Sequence, residues 1–225
     1  MQDATPPESR REFLAMAASA AVGMGALLPV TATTAVAAGP ATAAAAVTAA
    51  WLDSIPGKHR QVADWPDVNN GMGLIFTLGF LISTPVGFGV PASDVGAVLV
   101  LRHDTIPIVL NDAMWEKYNL GAVFHIDDPK TKAPAVRNPF YLEPGGLPFQ
   151  EAALVNLIAR GVKVAACDLA LTFRSGMVAK KMGLDPATVK KEWVASIHPG
   201  IQVLPSGVFA IHAAQTRGCT YVFAG

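Results

Sequence analysis

The stretch GVKVAACDLALTFRSG, residues 161–176, decides the fold. Val162 to Cys167 is apolar apart from Lys163 and reads as a buried strand. Asp168 is placed to cap a helix running to Met182, which Gly183 closes. A strand passing at once into a helix belongs to an open α/β sheet, where ligands collect at the carboxyl ends of the strands. Cys167 stands at such an end, and any chemistry is expected there.

Upstream, Leu147 to Arg160 sets Phe149, Ala153, Leu154, Leu157 and Ile158 on one helical face, with Gly161 as its C-cap. Asp94 to Leu101 (DVGAVLVL) is a near-continuous apolar run, the pattern of a parallel strand buried on both faces. Arg102, His103 and Asp104 follow at its carboxyl end. Asn111 or Asp112 caps a short helix through Tyr118. Lys58 to Trp65 is the first strand, and Asp64 to Asn70 reads as turn. Gly71 to Val90 carries no charge. Gly79, Pro85, Gly87 and Gly89 interrupt it, which favours a helix over Gly71–Thr84, covering the sheet or a partner subunit, over a membrane span. Downstream, Asp185-Pro186 opens another helix, Ile201–Leu204 is a strand after the turn His198-Pro199-Gly200, Ser206 caps a helix to about Arg217, and Cys219–Phe223 is a last strand. Strands alternating with helices give the class α/β, a mostly parallel sheet with helices on both sides.

The chain has 225 residues, 52% hydrophobic and 15% charged, with a formal net charge of zero. That suits one compact domain plus an extra segment, and leaves no electrostatic footprint for nucleic acid and no polybasic patch for anionic lipid. The extra segment is N-terminal. Ser9-Arg10-Arg11-Glu12-Phe13-Leu14 has the form of a twin-arginine export motif, in which Arg10 and Arg11 would be read by the twin-arginine translocase. An Ala- and Gly-rich apolar run (15–30) follows, and Ala35-Val36-Ala37 fits the A-x-A rule for cleavage near Ala37 or Ala38. The expected organisation is a signal over 1–38, a flexible Ala/Thr-rich lead-in over 39–50 and a domain over 51–225. The expected compartment is the periplasm, with a membrane anchor if the signal stays attached and no stable span if it is removed.

Two cysteines, Cys167 and Cys219, rule out a dense disulfide framework. One ends a strand and the other begins one, so in a parallel sheet they lie at opposite edges, beyond the roughly 7 Å that a bridge tolerates. The histidines at 59, 103, 125, 198 and 212 show no metal-ligand spacing, and no nucleophile elbow, phosphate loop or dinucleotide fingerprint is present. No metal and no cofactor is therefore expected. The candidate chemistry rests on Cys167, as a reactive thiol or a small core residue, with His103 as an orienting or tuning group. The Pro-rich stretch Gly121–Gly146 is long enough for a lid, a binding loop or an interface. Its Arg137, Asn138 and Tyr141, with Arg102, are the candidate ligand-binding residues, a covering role for the loop being the alternative.

From Leu154 to Phe223 the chain resembles the DsrE/DsrF-like family. The resemblance is carried by GVKVAAC ending in cysteine, the following helix with Gly176, the segment VLPSGVFAIHAAQTRG and the terminal CTYVF, with Val95–Leu101 and RHDTIP as an earlier strand and loop. It implies a three-layer α/β/α sandwich with about five strands, assembly into homo- or hetero-oligomers, and a persulfide carried at the position of Cys167 between a sulfur donor and an acceptor protein. The export signal and long loop depart from the small cytoplasmic sulfur-relay members, and the likeness is closer to exported members of unassigned function. Two functions follow as expectations: periplasmic handling of sulfane sulfur on Cys167, or a non-catalytic small-molecule-binding or assembly subunit using the 121–146 loop and the 71–90 helix.

Overall fold

The computed structural model describes residues 40–225, with side chains from residue 44 onward. The export motif with Arg10 and Arg11 lies outside the described residues. Five strands form one all-parallel sheet: β1 (His59–Trp65), β2 (Val95–Leu101), β3 (Lys163–Cys167), β4 (Ile201–Leu204) and β5 (Cys219–Phe223), in the order β4-β3-β2-β1-β5. The expected three-layer α/β/α sandwich is the fold. One face carries α2 (Met72–Phe88), α3 (Asp112–Tyr118), α4 (Leu120–Phe124), α5 (Leu154–Ala159), α6 (Asp168–Met182) and α7 (Pro186–Ala195); the other carries α1 (Pro40–Asp53) and α8 (Gly207–Gln215).

Strand alternation explains the two cores. Ala63, Trp65, Leu99, Leu101, Val164 and Ala166 point to the first face, while Val62, Val98, Val100, Ala165 and Leu204 point to the second. Every residue of β2 is buried, as its unbroken apolar run requires. The chain leaves β1, β2 and β3 over the first face but leaves β4 over the second. α6 and α8 therefore diverge at the carboxyl ends of β3 and β4, opening a crevice where Cys167 is in register with Leu204.

Several elements differ from the sequence reading. Residues 40–50, expected as a flexible lead-in, are helical as part of α1. The burial of Leu52 at the end of α1 and of Ile55 just after it anchors that helix to the sheet. α2 runs past Thr84 through Pro85 to Phe88 and stops only at Gly89, whose φ of 64° is left-handed. Pro85 costs one backbone bond near the end of the helix, where the orphaned carbonyl is close to solvent, and the turn continues. The segment Asn69–Phe88 is long and apolar enough to cross a membrane by length and composition alone. Here Gly73, Leu74, Thr77 and Leu78 bury one side of it against the sheet. The helix read over Leu147–Arg160 shrinks to α5, because the long loop takes its first backbone donors: Leu154 N–H bonds to Phe140 O at 3.0 Å and Val155 N–H to Tyr141 O at 3.0 Å. Asp168 does not cap α6; Cys167 does, and Asp168 is the first helical residue.

Two glycines of α2 separate helix propensity from packing. A Cβ on Gly73 would lie 2.3 Å from the Trp65 ring, whereas one on Gly79 would meet nothing within 4 Å. Alanine favours a helix over glycine by about 1 kcal/mol, and overpacking costs about 1–3 kcal/mol. Gly79→Ala is expected to raise stability and Gly73→Ala to lower it, measured as urea midpoints; the same sign for both would contradict the packing described.

Candidate functional site

The crevice is built from strand ends. Cys167 ends β3 with extended backbone, and its Sγ accepts the Ala170 N–H at 3.3 Å. The sulfur thus takes the N-cap place usually held by an oxygen, at the positive end of the α6 dipole. The residue is 6% exposed and unbridged, as is Cys219. Asp168 turns to α7, where its carboxylate meets Lys190 Nζ at 2.9 Å.

Beside Cys167 stands a network centred on Asp64, the buried carboxylate at the end of β1. Arg102, just beyond β2, grips it with two bonds, Nε to Oδ1 at 2.6 Å and a terminal nitrogen to Oδ2 at 2.9 Å. Tyr221 on β5 donates its hydroxyl to Asp64 Oδ2 at 3.0 Å. The hydrogen bond to Asp64 holds the Arg102 guanidinium above its ordinary pKa, against burial, and the nearby Cys167 sulfur adds to the effect. Burial and then Asp64 push the Tyr221 phenol up. The first residue of α8 must be small here: a Cβ on Gly207 would lie 2.7 Å from Arg102 Cδ. Thr105 fixes the backbone around the arginine, its hydroxyl donating to Trp65 O at 2.6 Å and accepting from Arg102 N–H at 3.0 Å.

His103 does reach the carboxyl edge, with a left-handed φ of 51° and a side chain only partly covered. No hydrogen bond joins it to Cys167 among the described residues. Burial lowers its pKa, and the neighbouring Arg102 and Arg174 lower it further, which favours the neutral ring. Arg174 of α6 is itself paired with Asp104 at 2.6 Å. The charged companion of Cys167 is therefore Arg102 rather than His103.

The long loop does not close over this edge. Asn138 is buried and structural: its amide donates to Ile108 O at 2.7 Å and Leu110 O at 2.9 Å. Tyr141 stacks on His198, with ring centroids 3.3 Å apart, at the turn that enters the amino end of β4. Arg137 is exposed beside Asp112, Asp128 and Glu143 in a hollow of about 50 Å³. Of the three loop residues expected with Arg102 as ligand contacts, Asn138 and Tyr141 hold the loop near the entry to β4 and Arg137 is exposed, while Arg102 stands at the opposite end of the sheet. A larger hollow of about 940 Å³ lies between α1, β4 and α8, lined by Leu52, Val203, Leu204, Phe209 and Ala213 and reaching Asp168. Among the described residues no three His, Cys, Asp or Glu side chains gather to hold a metal.

Asp64 and Tyr221 were missed as site residues. Asp64 read as the start of a turn, and Tyr221 only as a family mark. The available signal was an acid at one strand end facing an arginine at the next.

No protein-family model matches the chain, and no curated protein matches it. Among solved structures, one of a protein of unknown function from Methanobacterium thermoautotrophicum is similar at 14% identity, covering 73% of this chain and 98% of that one with a TM-score of 0.39.

Removing one partner of a buried ion pair costs about 3–5 kcal/mol, and a hydroxyl bond to a charged group about 1.5–3 kcal/mol. Arg102→Met is thus expected to destabilise more than Tyr221→Phe in urea unfolding, with Asp64→Asn in Arg102→Met recovering part of the loss. Equal, negligible effects would contradict the network.

A pH effect follows from two histidines. His103 and His198 are both held below 6.5, chiefly by burial. The unfolded chain then binds protons that the folded chain refuses, so stability is full above 6.5 and falls as pH drops below it. Urea midpoints are expected to fall from about pH 7 to about pH 5.5, with a shallower fall in His198→Gln. An unchanged slope in the variant removes His198 from the account.

Proposed function

We propose that this is a periplasmic sulfur-handling protein in which Cys167 carries sulfane sulfur as a persulfide, as the DsrE/DsrF-like resemblance implies. One observation carries the reading: the Cys167 sulfur caps α6 in the crevice between β3 and β4, beside the guanidinium that Asp64 fixes. Helix N–H groups and a held cation favour negative charge at that point, and both the attacking thiolate and the persulfide are anionic.

In the proposed step the Cys167 thiolate attacks the outer sulfur of a donor persulfide or polysulfide. The donor S–S bond breaks, a new S–S bond forms on Cys167, and the electron pair leaves on the donor thiolate. No external oxidant is needed, and attack by an acceptor thiolate reverses the step. With Cys167 only 6% exposed, the site suits a small donor better than a bulky one. The export motif at Arg10-Arg11 and the Ala35-Val36-Ala37 exit support placement in the periplasm after translocation by the twin-arginine machinery. The alternative, a non-catalytic assembly subunit, draws its support from the uncharged outer surface of α2 rather than from the loop.

Mass spectrometry after exposure to polysulfide tests the proposal, since one added sulfur is about 32 Da. The adduct is expected on the wild type and on Cys219→Ala, absent from Cys167→Ala, and slower to form on Arg102→Met. An equal adduct on Cys167→Ala, or none on the wild type, overturns it.

A further inference from the structure

We infer that the outer edge of β5, unpaired among the described residues, pairs antiparallel with β5 of a second copy, joining two sheets and placing Tyr221 at the two-fold axis. The inference is independent of what Cys167 carries. β5 is an edge strand, hydrogen-bonded among the described residues only to β1. Natural edge strands are guarded by charge, proline or a bulge. Cys219–Phe223 (CTYVF) has no charge and no proline, and it pairs with β1 without a break in register.

The alternation of its backbone is fixed by the Ala224 N–H, which bonds to Asp64 O at 2.9 Å. Thr220 and Val222 therefore turn their amides and carbonyls to β1, and Cys219, Tyr221 and Phe223 turn theirs outward. A two-fold axis at Tyr221 sets Tyr221 against its own copy and Cys219 against Phe223, each pair exchanging both N–H···O bonds. Thr220 then faces Val222. No like charges meet, and every pair joins residues suited to strands. The side chains fit the same axis. Tyr221 is 46% and Phe223 52% exposed, large for unpartnered aromatics.

On the other face α2 packs over β1 and β2, with Val86 bare on its uncharged exterior and Phe88 stacked on His59 yet 69% exposed. A second copy sets its own β5 against this strand, as isologous pairing demands. It also reaches the site, because Tyr221 holds Asp64 and Asp64 holds Arg102.

The test uses the full chain in sedimentation equilibrium and light scattering. A dimer is expected. Phe223→Pro removes only an outward N–H, and Phe223→Lys adds charge at the seam; each should weaken dimerisation by about tenfold or more while circular dichroism and melting stay native-like. Tyr221→Cys gives an independent readout. Residues facing across a hydrogen-bonded pair have Cα atoms about 5.5 Å apart, within disulfide range, so mild oxidation should yield a covalent dimer on a non-reducing gel. A monomeric wild type, whether or not it binds vesicles, overturns the inference. So does a dimer that survives both Phe223 variants and gives no cross-link in Tyr221→Cys.

Discussion

A carboxylate with 2% exposure sits at the end of β1, and the carboxyl edge of the sheet is arranged around neutralising it. An isolated buried charge is too costly to keep. Asp64 is matched by a bidentate guanidinium and a phenol. The three groups come from β1, β2 and β5, so the interaction joins neighbouring strand ends. It also dictates a glycine at the start of α8, since Arg102 occupies the space of any side chain there. Such a pair contributes less to stability than to placement, because desolvation offsets much of its attraction. What it contributes to the fold is a guanidinium that cannot swing away from the crevice.

Cys167 draws its character from the same edge. A sulfur is a poor hydrogen-bond acceptor compared with the oxygen of serine or aspartate. As an ordinary cap it is a weak choice, since the preferred caps are Asn, Asp, Ser and Thr. Three other helices in the chain use them: Asn111 for α3, Asp185 for α7 and Ser206 for α8. α2, α4 and α5 start without a side-chain cap bond, so what sets Cys167 apart is its place at the topological switch, where the connections part after β3 and β4. Burial gives Cys167 a packing role as well, as the last residue of β3 and a member of the first core. The position therefore has a distinctive electrostatic setting that packing alone does not require.

The fold was legible because it is written in local patterns. The apolar run of β2, the Asp185-Pro186 helix start and the Ser206 cap each depend on a few adjacent residues, and each appears where the sequence put it. The site was half legible. Cys167, Arg102 and His103 could be placed at strand ends from their neighbours. The partnership of Arg102 with Asp64 could not, because it spans 38 positions and depends on which strands are adjacent. Asp64 also resembles the turn formers that follow it. The loop misled for a related reason: Arg137, Asn138 and Tyr141 look like a binding set in sequence, yet Asn138 spends its amide on the backbone carbonyls after β2. The lost half of the helix before β3 has the same origin, since donors inside it were claimed by that distant loop.

α2 poses an opposition between its two sides. Its outer side, with Ile82, Val86 and Phe88 exposed, asks for an apolar environment. Its inner side already has one, with Leu74 fully buried and Gly73 set directly against Trp65. Inserting the whole helix in a bilayer would satisfy the outer side while baring the Trp65 face of the sheet, at about 1.5–3 kcal/mol for each large side chain uncovered. A protein surface laid against the outer side satisfies both at once and leaves the sheet intact. The edge strand makes the same demand from the backbone, with outward amides that need partners and no charge to keep them apart. A second copy related by a two-fold axis meets the backbone requirement at β5 without any change in the fold that Asp64 organises, while the apolar side of α2 lies over β1 and β2.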